Sequence, residues 1–78
     1  MTFSEIKSEG WETIAEDSNI LVALKDKFEL SYDLTMKELN ILKRVSHSDN
    51  NFFRDPIYLG SCPDLETFKN LCKLLKIS

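Results

Sequence analysis

The sequence has no apolar run approaching 18 residues, which excludes a membrane-spanning helix. Its first residues, Met1-Thr2-Phe3-Ser4-Glu5, do not form the basic start and apolar stretch of a secretory leader. A cytoplasmic protein is expected. Glycine and proline occur only twice each, so long irregular segments are not expected. Cys62 and Cys72 are too few for a disulfide framework. Cys72 falls on an apolar helical stripe and reads as a small core residue. His47 is the only histidine, no zinc-type spacing occurs, and no metal or cofactor is expected. There is no phosphate-cradling glycine loop and no nucleophile elbow. Ser46, His47 and Asp49 are sequence neighbours, whereas triad members meet in space. An enzyme is therefore not expected.

What is present suits one small domain over residues 1–78. Of the 78 residues, 42% are hydrophobic and 29% charged, enough for a modest core and too apolar for disorder. The net charge of −3 is unevenly spread. Residues 1–18 carry five acids against Lys7, a balance of −4, while residues 19–78 stand at +1. Residues 1–18 therefore read as an acidic, helical N-terminal extension. A dedicated nucleic-acid binder is usually basic.

Apolar spacing predicts helices throughout. Phe3 and Ile6 suggest a short first turn. After Gly10, Trp11, Ile14 and Ala15 suggest a helix. Ile20, Leu21, Leu24 and Phe28 share a second helical face. Leu30 to Leu34 reads as a loop. Thr35-Met36-Lys37-Glu38 has the form of a capping box, opening a helix that buries Leu39 and Leu42. Ser46 or Ser48 would cap a third helix containing Phe52 and Phe53, ended by Pro56. Pro63-Asp64 opens the last helix, with Leu65, Phe68, Leu71, Cys72 and Leu75 on its apolar side. Lys69, Lys73 and Lys76 lie along another face and read more readily as solvated charge than as a phosphate track. No stretch is read with a strand period. The expected fold is all-α, a compact bundle of about five helices.

Residues 63–78, Pro-Asp-Leu-Glu-Thr-Phe-Lys-Asn-Leu-Cys-Lys-Leu-Leu-Lys-Ile-Ser, resemble the fourth helix of the Cro and phage-repressor (XRE-like) helix-turn-helix family. Thr35-Met36-Lys37-Glu38-Leu39 resembles the start of that family's second helix, and Val45-Ser46 the opening of its recognition helix. The resemblance covers about residues 19–78. It implies a lambda-repressor-like fold and a small phage or mobile-element regulator of transcription. Ser46, His47, Ser48, Asn50, Asn51 and Arg54 would then read base edges, with Lys37, Lys43 and Arg44 on phosphates. The partner would be operator DNA, bound by a homodimer or with another chain. The alternative is an antirepressor that uses the same fold to bind a repressor or other regulatory protein. Adjacent helical residues point about 100° apart, so Phe52 beside Phe53 suggests a protein-contact patch with Tyr58 and Leu59.

Overall fold

A computed structural model describes residues 1–46 and 52–78. The element order is α1 (Phe3–Ser8), β1 (Glu12–Glu16), β2 (Ile20–Lys25), β3 (Phe28–Asp33), β4 (Glu38–Ser46), β5 (Phe52–Ser61) and α2 (Leu65–Leu74). The strands form one antiparallel sheet in sequence order, β1-β2-β3-β4-β5. The all-α bundle with a helix-turn-helix is therefore corrected. Residues 20–25, 28–33 and 38–46 are strands, residues 35–37 lie in a turn, residues 52–56 of the expected third helix belong to β5, and only the two ends of the chain are helical among the described residues. Residues 1–18, expected to be helical, supply α1 and then the edge strand β1.

The correction has local causes. Thr35-Met36-Lys37-Glu38 resembles a helix start but forms the β3–β4 turn. Asp33 Oδ1 takes the Met36 N–H (3.0 Å), satisfying the backbone as a turn instead of a helix cap. Asn19, from the β1–β2 connection, holds the turn from the other side. Its carbonyl accepts from Leu34 N–H (2.8 Å), and its Oδ1 accepts from the Thr35 N–H and hydroxyl. Lys37 then adopts a φ of 54°, which an α-helix does not contain. In the β1–β2 connection, Asp17 Oδ1 accepts from the N–H groups of Asn19 and Ile20, each at 2.8 Å. These bonds stabilise the charged carboxylate and hold its pKa below the ordinary value of 3.8.

The register separates two faces. On the inner face, three rows cross the sheet: Leu21–Tyr32–Leu39–Gly60, Ala23–Leu30–Ile41–Tyr58 and Lys25–Phe28–Lys43–Asp55. The first two rows supply most of the core, where Leu21, Tyr32, Leu39, Leu30 and Ile41 are fully buried. Each such aliphatic side chain contributes about 1.5–3 kcal/mol by leaving water. Ile6 of α1 and Phe68 of α2 complete the same cluster. Phe68 meets Trp11 with ring centroids 6.1 Å apart, and Phe3 lies edge-on to Tyr32 at 6.5 Å. Tyr32 donates its buried hydroxyl to the Cys62 carbonyl (2.8 Å), and the Met1 ammonium donates to the Pro63 carbonyl (2.6 Å). Both helices thus seal one face of the sheet.

Each helix has the caps that its sequence provides. Thr2 and Glu5 form a reciprocal capping box at α1, with bonds of 2.8 and 3.1 Å. Asp64 caps α2 by accepting from Thr67 N–H (2.8 Å), and the Thr67 hydroxyl first, then this N–H, lower its pKa below 3.8. The last helix therefore occurs where the apolar spacing predicts it. The sheet edges are interrupted as edges in soluble proteins commonly are. β1 has a bulge between Thr13 and Ala15, and β5 contains Pro56 beside a register shift.

Candidate partner-binding surface

The outer face of the sheet has neither helix over it. One row across it runs Ala15–Val22–Ser31–Asn40–Leu59, and the next runs Glu12–Leu24–Glu29–Leu42–Pro56. A third contains Ile20, Asp33, Glu38 and Ser61. Two aliphatic strips therefore flank a polar centre. Val22 and Leu24 lie toward β1, where Ile14 is the extra residue of the bulge beside Val22, while Leu42, Pro56 and Leu59 lie toward β5. Leu59 is 67% exposed and Ile14 51% exposed.

Strand β2 makes this face unusual. An antiparallel sheet with one solvated face normally alternates apolar and polar residues. Strand β3 does so, with Phe28, Leu30 and Tyr32 inward and Glu29, Ser31 and Asp33 outward. Strand β2 reads Ile-Leu-Val-Ala-Leu-Lys, apolar on both sides, as strands covered on both faces do. Ile20, Val22 and Leu24 are only half-buried in the chain alone.

Charge on the same face is organised around Glu29. Its carboxylate lies 3.4 Å from Arg54 Nε and 3.8 Å from Arg44 Nε. Glu12, Asp33 and Glu38 share that face. The acidic groups outnumber the two arginines, so the surface would repel a phosphate backbone.

Two of the expected DNA-reading residues are placed on strands. Ser46 ends β4, and Arg54 lies on the neighbouring strand, opposite Arg44. His47, Ser48, Asn50 and Asn51 lie outside the described residues. Of the expected phosphate contacts, Lys43 and Arg44 point to opposite faces of β4, and Lys37 sits in the distant β3–β4 turn. The three are not brought together. In the expected protein-contact patch, Leu59 faces outward, whereas Tyr58 faces inward and donates to the Ser61 carbonyl (3.0 Å). A Cβ on Gly60 would lie 2.9 Å from the Tyr58 hydroxyl, so any larger residue there would force the Tyr58 ring to shift. Phe52 begins β5. Its neighbour Phe53 pairs with Val45 and is 61% exposed.

The helical reading places Leu24 and Leu42 on buried faces and gives Val22 no role, whereas all three lie on the outer face of the sheet. The two-sided apolar character of residues 20–24 was the available signal. Among the described residues, no group of three or more His, Cys, Asp or Glu side chains could hold a metal ion. No described helix is long and apolar enough to cross a membrane. No family model matches the chain, and no curated protein or solved structure shows significant similarity to it.

Proposed function

We propose that this protein acts by binding another protein through the outer face of its sheet. The observation that carries this reading is strand β2, which is apolar on both sides while the helices cover only one. The surface is an open face of a five-stranded sheet, which suits a folded protein rather than a small molecule. That partner presents two aliphatic patches spaced to meet the Ile14–Val22–Leu24 and Leu42–Pro56–Leu59 strips. Between them it presents donors or cations toward Glu29, Asp33 and Glu38. A repressor or other regulatory protein, the alternative to operator DNA in the sequence reading, is the partner class that fits this surface. The operator-DNA reading depended on a recognition helix, and strands β4 and β5 hold the described residues at its two ends.

Photo-crosslinking tests the proposal. A photoreactive residue is placed at Val22, at Ile14, or at the exposed Glu66 of α2 as a control, in the cells that naturally make the protein. The expected result is the same discrete heterologous adduct from Val22 and Ile14 and none from Glu66. Leu59→Lys, at a largely exposed position, should abolish it while leaving the circular dichroism spectrum unchanged. Absence of the adduct, or equal yield from Glu66, would overturn the reading.

A further inference from the structure

A second surface lies at the opposite side of the molecule, where the C-terminal half of α2 meets the end of β2 and the Gly10–Trp11 link. It is a cleft of about 570 Å³, within the range of small-molecule sites. Lys25, Lys69, Lys73 and Lys76 line it, and Glu9 is the acidic side chain among its lining residues. Half of the eight lysines in a chain of net charge −3 thus face one concavity. Cys72, Ile77 and Trp11 supply its apolar floor.

Several features build this cleft at local cost. Lys69, Lys73 and Lys76 are spaced four and three residues apart and so share one side of the helix. The helix ends in a Schellman motif, with Ile77 N–H bonded to the Cys72 carbonyl (2.9 Å) and Lys76 N–H to the Lys73 carbonyl (3.2 Å). The central position of that motif normally takes glycine. Here it is Lys76, at φ 59°, a backbone strain that places a fourth ammonium at the cleft. Lys25 arrives from β2 and donates to the Glu9 carbonyl (2.5 Å). Gly10, at φ 93°, leaves space for it, because a Cβ there would lie 3.3 Å from Lys25 Cε. Trp11 is 3% exposed, and its indole N–H has no hydrogen-bond partner. Such an orphaned buried donor is uncommon. The helix dipole accounts for cations at Lys73 and Lys76, but not for Lys25 or for Lys69 in the middle of the helix.

We infer that this cleft binds a small phosphate-bearing anion carrying at least two phosphoryl groups. The cations are all lysines. These are point charges that suit clustered phosphate oxygens, whereas planar carboxylates favour the arginine fork. This inference is independent of the protein-binding surface, which lies across the sheet.

Trp11 is the single tryptophan and reports directly on the cleft. The intact protein is titrated with pyrophosphate at fixed ionic strength, following Trp11 fluorescence and its single indole N–H resonance. Saturable changes below about 1 mM are expected, a modest affinity. Lys73→Gln and Lys69→Gln should each weaken binding about fivefold, the loss of one nearby charge contact in water. Lys27→Gln, at an exposed turn outside the cleft, should leave it unchanged. A nucleoside diphosphate that binds more tightly than pyrophosphate would place an organic body on the Cys72–Ile77 floor. Equal affinity would make the phosphates alone the recognised group, and both outcomes support the assignment. No saturable change, equal response to sulfate or citrate, or equal sensitivity to Lys27→Gln would overturn it.

Discussion

Tyr32→Phe should destabilise the fold by about 1–2 kcal/mol. The side chain is fully buried in the centre of the inner face, and its hydroxyl donates to the Cys62 carbonyl at 2.8 Å. That bond ties β3 to the segment entering α2. Phenylalanine preserves the ring and its edge contact with Phe3, so the substitution isolates the hydroxyl. A net hydrogen bond is worth about 0.5–1.5 kcal/mol, and a buried acceptor left without its donor adds about 1–3 kcal/mol when no water replaces it. Partial relaxation places the sum near the lower end. For a domain this size, 1 kcal/mol corresponds to about 4–8 °C in Tm. Urea unfolding followed through Trp11 fluorescence measures the change, because the indole passes from burial to water. Burial raises the pKa of the Tyr32 hydroxyl above its ordinary value of 10, with Cys62 and Asp33 adding smaller contributions in the same direction. The folded state therefore keeps a proton that the unfolded chain releases. The associated stability is complete below about pH 10 and falls as the pH rises beyond it. Tyr32→Phe should flatten that part of the stability profile. A loss below about 0.5 kcal/mol, with the alkaline slope unchanged, would refute the reasoning.

Lys76→Gly should stabilise the protein by about 0.5–1 kcal/mol in the same assay. Relief of a left-handed L-residue, about 1–2 kcal/mol, exceeds the added freedom of glycine when unfolded, about 0.5–1 kcal/mol. The same variant should bind pyrophosphate more weakly, separating stability from binding. Asp17 and Asp64 both have carboxyl pKa values below the ordinary 3.8. Their contributions are present above about pH 3.8 and are lost as the pH falls through the depressed folded values. Asp17→Asn and Asp64→Asn should therefore each reduce the difference in stability between pH 7 and pH 2, measured by urea unfolding.

The legible parts of the fold were those specified by neighbours in sequence. Leu65, Phe68, Leu71 and Leu75 repeat at helical spacing behind an Asp64 cap, and α2 forms there. Phe28-Glu29-Leu30-Ser31-Tyr32-Asp33 alternates strictly, and this strand signal was open to reading. Residues 20–24 were ambiguous because a strand apolar on both sides contains helical spacings as well as alternating ones. The Thr35–Glu38 turn is held from nearby by Asp33 and from 16 residues before Thr35 by Asn19, so only part of what overrides its helix-like signature is local. The binding surfaces were less legible for the same reason. Lys69, Lys73 and Lys76 form a visible row, but only the tertiary fold brings Lys25 and Trp11 beside them. The outer face becomes a surface only once the register is known.

The strictly sequential strand order also sets the history of each molecule. Every strand pairs with its immediate predecessor, so the sheet can zip up hairpin by hairpin as the ribosome extends the chain. Its lid cannot form at the same pace. Phe68, the fully buried side chain that α2 contributes, emerges after all five strands. Until then a nascent sheet exposes apolar side chains on both faces, with α1 alone shielding one of them. The docking of α2 therefore converts a doubly sticky ribbon into a sheet with a single apolar face. A chaperone or a cognate partner present during translation would encounter that ribbon first.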